Sequence, residues 1–369
     1  MDGAGYGVQA GFQCDVVRRE GGCRKVTIEV VHPDSHCNPL QRAQSAFINV
    51  TGWSCKDLST CNAKFKGRQG VLEAGSGSSG STFKGLVEVL DGLPQLKIFV
   101  GENVKEMTMP SSDNRDHMYE ILAGHGWTAD IQLLEASEYG ANVRRPRAWV
   151  IAYNSERLGI DVATAQQMVA RTFSLIKRLK IPPLGLNRFL LKANDKRVVA
   201  AEQAAGAKAK AMAAAGNKGV SGGWSSQLAK LLQDNGMRWA DCKPPQGVLD
   251  NVFYKCLPAR EQMALGYGFA TVKNATAIDL SQSIGRLYSS DDDILPCITP
   301  GCHMMLVNMK PAMRPLLGSE ALTLHGASLE WIDSHQHEGE SFDEAFLMDL
   351  AGNSFVGQVS AAVIFWIWG

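Results

Sequence analysis

The sequence predicts an α/β fold built on an open, doubly wound, mostly parallel sheet, with a smaller irregular domain attached. Three observations lead there. In residues 1 to about 155 the runs FQCDVV, SAFINVTGW, QLKIFVGENV, IQLLEASEY and RAWVIAY are rich in β-branched and aromatic residues and lack polar alternation. That is the pattern of strands buried on both faces. Between the second and third lies TFKGLVEVLDGL, whose Phe83, Leu86, Val87 and Leu90 repeat at helical spacing, so a βαβ unit and a parallel sheet are expected. After Tyr153 the texture changes.

Residues 161–180 read as an amphipathic helix with a basic end at Lys177, Arg178 and Lys180, stopped by Pro182 and Pro183. An Ala-rich segment with Lys208, Lys210 and Lys218 follows and ends in SGGWSS. Residues 185–310 show no clean period and are expected to form a second, irregular domain with basic and aromatic surface residues. Apolar patterning returns around Arg314 to Gly326 and Asp349 to Gly369, the last helix being expected to pack back on the first domain. The division predicted is 1–157, 158–312 and 313–369, the last completing the first.

Composition sets bounds. The 369 residues suffice for one large domain and a smaller one, and 45% apolar with 20% charged residues excludes disorder throughout. Formal net charge is zero, so any grip on nucleic acid must come from local Lys and Arg clusters. Nine cysteines lack the density of a secreted disulfide scaffold and are read as mostly reduced. No CxxC pair exists, and Cys297 and Cys302 have no second pair, so no metal site is expected. No secretory signal is recognised, and the apolar VSAAVIFWIWG is about half the length needed to span a bilayer, so no membrane partner is expected.

Three apolar runs abut reactive groups. FINVTGW leads to Cys55, LKIFVG to Glu102, and AWVIAY follows Arg145 and Arg147. If these are neighbouring strands, a thiol, a carboxylate and a guanidinium converge at one rim of a sheet, where open α/β sheets bind ligands. Each also has a plainer reading. A lone Cys after a strand is most often a core thiol, although Lys56 beside it favours the thiolate. Lys64, Lys66 and Arg68, among Gly and Ser, suit a mobile loop that closes on phosphates. Glu102 is either paired and functional or a helix cap. Arg144 suits a solvated basic patch, while Arg147, beside Ala and Trp, is expected to turn inward to an acid. GNS at 352–354 alone reads as a turn.

Taken in order, these segments resemble the DNA cytosine-5 methyltransferase family. TGWSCKDLS looks like its Pro-Cys motif, GENV its Glu-Asn-Val motif and VRRPR its Gln-x-Arg-x-Arg motif. RPLLGSEALTLHGA resembles the Arg/Leu-Thr-x-x-Glu segment, and AGNSFVGQV the final Gly-Asn-Ser motif. The resemblance implies a Rossmann-like methyltransferase fold whose irregular part is a target-recognition region. It implies transfer of a methyl group from S-adenosylmethionine to carbon 5 of cytosine in DNA through a covalent adduct. Cys55 would be the nucleophile, Glu102 would hydrogen-bond the ring, and Arg145 and Arg147 would complete the catalytic set. Asn353 and Ser354 would touch the cofactor, Lys64, Lys66 and Arg68 the DNA, and the target base would be flipped from the duplex. A nuclear location follows from that substrate alone.

The chain also departs from the pattern. Ser54 replaces the motif's Pro, Lys56 its Gln, and Val143 stands where Gln is expected. The family opens with a strand ending in a Phe-x-Gly-x-Gly-Gly turn that cradles the cofactor, whereas this chain starts MDGAGYGVQAGF. The first strand is therefore expected to be missing, with a remnant of the turn in Gly3, Gly5 and Gly7. Asp15 is the best match for the acid that binds the ribose, with Glu29 as second choice. Weak cofactor binding is expected. Two alternatives stay open: a catalytically impaired DNA-binding homologue, and an RNA cytosine-5 methyltransferase.

Overall fold

The computed structural model describes residues 47–59, 70–72, 77–109, 113–215, 223–272, 274–308, 313–334 and 342–368. The run FQCDVV and the expectations for Gly5, Asp15, Glu29, Lys64, Lys66 and Arg68 fall outside these residues. The chain divides into two compact units: Met1–Glu135 with Pro146–Leu179 and Ala362–Gly369, and Ala136–Arg145 with Lys180–Ala361.

The first unit is built on four strands: β1 (Ile48–Gly52), β2 (Ile98–Val104), β3 (Trp127–Glu135) and β4 (Pro146–Asn154). Their order is β1-β2-β4-β3. β1 pairs parallel with β2, while β4 runs antiparallel to both β2 and β3. Three strands thus point one way and β4 alone is reversed, so the sheet is mixed within the expected α/β class. Every residue of β4 from Ala148 to Asn154 is buried, which explains its run of unbroken apolar residues.

Helix α1 (Gly77–Gly92) makes the crossover from β1 to β2. Its Phe83, Leu86, Val87 and Leu90 are buried in one core with Trp53, Phe99 and Val150. Burial of these four side chains contributes roughly 6–12 kcal/mol as an upper estimate. Gly101 is required there, since a Cβ would stand 2.7 Å from the Phe99 ring and 3.0 Å from Trp53. Helix α2 (Asn114–Gly124) adds Met118 and Leu122 to the same core. Helix α3 (Val162–Lys177) starts where Asp161 accepts from the Thr164 N–H at 2.7 Å, the expected N-cap chemistry. Its Thr172 Oγ1 meets the Tyr153 hydroxyl at 3.0 Å. Tyr153 alternates with Ala152 and Val150 along β4, so α3 covers the opposite sheet face from α1. The sheet is therefore wound on both sides.

The second unit is more ordered than its lack of periodicity suggests. It contains α4 (Lys196–Ala215), α5 (Gly223–Asp234) and α6 (Ala259–Thr271). A second sheet of β5 (Ala277–Asp279), β6 (Tyr288–Ser290), β7 (Met304–Leu306) and β8 (Arg314–Pro315) has the order β6-β5-β7-β8, antiparallel throughout. Strands this short carry too few residues to display a period of two. The Ala-rich α4 buries only Val198 and Ala205, so it shows no apolar stripe. Helices α7 (Gly318–Leu324) and α8 (Glu344–Asn353) follow, then α9 (Gly357–Trp368). Arg314 grips the fully buried Glu320 with two bonds of 2.8 and 2.6 Å, and the N–H groups of Leu191 and Leu317 donate to the same carboxylate. Among the described residues no single helix is long and apolar enough to cross a membrane; Glu344–Asn353 and Gly357–Ile367, bent by 41°, meet that test only together.

Candidate active site

At the carboxyl rim of the first unit's sheet, Gly52 is the register partner of Glu102. Cys55 lies three residues beyond Gly52. It is reduced and half-buried, and it packs against the core that holds Trp53 and Phe83. The chain then makes a tight turn in which the Cys55 carbonyl accepts from the N–H groups of Leu58 at 3.0 Å and Ser59 at 2.8 Å. Buried Leu58 anchors that turn from below.

Glu102 faces Trp149 across the β2–β4 ladder, and Val104 faces Arg147. Glu102 and Arg147 are thus diagonal neighbours on one face of the sheet. Arg147 Nε stands 3.1 Å from Glu102 Oε1, with both side chains largely withdrawn from water. The inward turn of Arg147 toward an acid is therefore present. It depends on the reversal of β4, because a parallel strand would carry its first residues, Arg147 among them, to the opposite rim.

One residue the motif reading left without a role fixes this rim. Buried Asn103 donates from Nδ2 to the Trp53 carbonyl at 3.0 Å, while its Oδ1 accepts from the Val104 N–H at 2.8 Å. It ties the end of β2 to the residue two before Cys55. Its position inside GENV was the available signal.

The other arginines have different tasks, all within the second unit. Arg144 is exposed, and at the surface it pairs with Asp292 at 2.5 Å and donates to the Ile294 carbonyl. Arg145 is buried and donates to the carbonyls of Ile298 at 2.9 Å, Gly352 at 3.1 Å and Ser354 at 3.0 Å. These guanidinium donors hold backbone carbonyls, and Arg145 clamps the Gly352–Ser354 turn. Two residues that share a motif are thereby divided, Arg147 pairing with a carboxylate and Arg145 bracing a loop.

Of the residues expected to hold the cofactor, only Asn353 and Ser354 are described. The Ser354 hydroxyl donates to the Ala351 carbonyl at 3.0 Å and meets His325 Nδ1 at 3.0 Å. Exposed Asn353 uses its amide nitrogen on the Asp349 carbonyl at 2.9 Å, which leaves its Oδ1 as an acceptor at the surface. An accepting oxygen on a braced turn fits the polar end of S-adenosylmethionine, and Asn353 is the residue that would hold it. Ser354 serves the turn itself.

Helices on both faces of a sheet with one reversed strand make this a doubly wound α/β fold of Rossmann-like type. Residues 78–218 match the family model of the C-5 cytosine-specific DNA methylases. The chain is similar in course to the S. pombe Dnmt2 methyltransferase, at 12% identity over 86% of this chain and 76% of that one, with a TM-score of 0.45. It is also similar to the Entamoeba histolytica methyltransferase EhMeth, at 11% identity over 89% and 79%, with a TM-score of 0.45. A DNA modification methyltransferase encoded within an E. coli prophage overlaps at 14% identity over 88% and 79%, with a TM-score of 0.41. No curated protein matches in sequence.

Proposed function

We propose that this chain methylates carbon 5 of cytosine in DNA through a covalent adduct on Cys55. The observation that carries the reading is the Glu102–Arg147 pair, 3.1 Å apart and one register step from the strand end that leads to Cys55. A cytosine ring resists methylation at carbon 5 until a nucleophile adds at carbon 6. Cys55, as the thiolate, forms that bond, and the displaced electron pair moves toward carbon 5 and the ring nitrogen. Glu102 hydrogen-bonds the ring nitrogen and exocyclic amine, where charge develops. Arg147 holds the carboxylate in place and reaches the ring carbonyl. When bound, S-adenosylmethionine supplies an electrophilic methyl group. Loss of the carbon 5 proton then expels the thiolate and returns Cys55 to its starting state.

The recognition region is proposed at residues 158–312, with Lys64, Lys66 and Arg68 contacting phosphates, and the nucleus as the place of work. The test is trapping on 5-fluorocytosine in duplex DNA and in RNA, each with S-adenosylmethionine present. Fluorine at carbon 5 blocks the final elimination, so a working enzyme stays attached. A stable adduct on DNA, absent in Cys55→Ala, is expected. An adduct on RNA alone moves the substrate to RNA, and none on either leaves a binding homologue.

A further inference from the structure

The segment just after Cys55 is fastened to the start of α1 by bonds that no recognised motif accounts for. The Asp57 carboxylate accepts from the N–H groups of Ser78 at 2.7 Å and Ser79 at 2.9 Å. In return the Asp57 N–H donates to Ser79 Oγ at 3.0 Å. On the other side of Cys55, the Ser54 N–H donates to Thr82 Oγ1 at 3.1 Å, and the Ser54 and Ser78 hydroxyls meet at 2.9 Å. Ser79 and Thr82 are buried, so the acceptors belong to the rigid body of the helix. The first turn of α1 has N–H groups without intrahelical acceptors, and here a carboxylate 21 and 22 residues earlier in the chain supplies one for two of them. Gly77 accommodates the close approach. Its φ is +69°, and a Cβ there would lie 2.7 Å from Asp57 Oδ2.

We propose that Asp57 is a positioning residue for Cys55, closing a clasp that holds the Cys55 turn on the α1 N-terminus. Ser54 and Asp57 flank Cys55 and both bond to the same helix, so the Cys55 backbone is held from either side. This deepens the reading of Cys55 as the nucleophile and rests on it for its catalytic meaning. It also explains how the chain tolerates Ser54 in place of a proline: the restriction that a fixed φ would supply is replaced by hydrogen bonds from Ser54 itself and from Asp57.

A clasp predicts opposite effects on two reactions of one sulfur. In Asp57→Ala the turn loosens and half-buried Cys55 becomes more accessible, so its alkylation by iodoacetamide, measured on the Cys55 peptide by mass spectrometry, rises roughly threefold or more. The rate of adduct formation on 5-fluorocytosine DNA falls by about tenfold or more, since a misplaced reacting group loses its alignment. Asp57→Asn restores both to near wild type, because its side-chain oxygen still caps the helix. Unchanged rates in Asp57→Ala, or Asp57→Asn as altered as Asp57→Ala, overturn the proposal. Should Asp57→Ala fail to fold, Ser79→Ala removes the acceptor of the Asp57 N–H and is read in the same way. Should the wild-type chain form no adduct on DNA or RNA, the reading of Cys55 as nucleophile fails, and alkylation alone decides the clasp: a rise supports it and no change ends it.

Discussion

Arg147 stands diagonally across the β2–β4 ladder from Glu102, its Nε 3.1 Å from Glu102 Oε1. Their side chains retain 16% and 12% of their accessible surface, so the pair is neither a surface ion pair of negligible worth nor fully withdrawn from water. Arg147→Ala is expected to destabilise the chain by about 3 kcal/mol, because an acid in this strand loses its counter-charge. Glu102→Gln keeps the shape and costs less stability, yet lowers adduct formation by about 10²–10³-fold through loss of charge stabilisation at the ring. Arg147→Lys does not rescue, since a point charge replaces a planar fork. Urea unfolding and adduct kinetics on the three variants separate stability from chemistry.

Asn103 couples the same rim to the thiol-bearing turn. Its two hydrogen bonds, to the Trp53 carbonyl and from the Val104 N–H, are both buried. Asn103→Ala strands one acceptor and one donor, for an expected cost of about 1–3 kcal/mol. Asn103→Asp is expected to be worse, since it keeps the acceptor, loses the donor and buries a charge. Thermal unfolding of the two variants checks the order.

The divided fate of the motif arginines marks the limit of what the sequence discloses. Residues 145 and 147 are two apart, which places both on one face of an ideal strand, and nothing in VRRPR says that Arg145 belongs with Ile298, Gly352 and Ser354 while Arg147 belongs with Glu102. The strands themselves were legible because β2 and β4 are nearly continuous apolar runs, and α1 because Phe83, Leu86, Val87 and Leu90 share a face. Direction was not legible. A run of apolar residues reads alike in either sense, so the reversal of β4 emerges only from its pairing. Asp57 was hidden for a related reason: its partners are Ser78 and Ser79, and serines near a helix start suggest local caps rather than a carboxylate some twenty residues away.

Arg145 offers a direct test of bracing against catalysis. Arg145→Met keeps the aliphatic stem and removes the donors to three carbonyls. The expected cost is roughly 3 kcal/mol, accompanied by faster proteolytic cleavage near the Gly352–Ser354 turn. A group that touched the base instead would leave unfolding and proteolysis unchanged and reduce kcat alone.

Acid sensitivity of the second unit follows from its paired carboxylates. Asp195 is held below the usual carboxylate range by its hydrogen bonds to Arg197. Burial pushes Glu261 upward, but the hydrogen bond and charge of His303, 3.0 Å away, outweigh it and leave the group lowered. Asp292 is lowered in the same manner, burial being outweighed by Arg144 and the Ile294 N–H. A group whose folded value lies below its unfolded value stabilises the fold above the unfolded value and loses that contribution as pH falls through the folded one. Taking the ordinary value of 3.8 for Asp, Tm is expected to be insensitive to Asp195 and Asp292, whose partners are arginines, between about pH 5 and 7 and to fall steadily below about pH 4.5. Asp195→Asn should start from a lower Tm at neutral pH and show a shallower acid limb. Parallel acid limbs in wild type and variant would exclude this carboxylate as a source of the sensitivity.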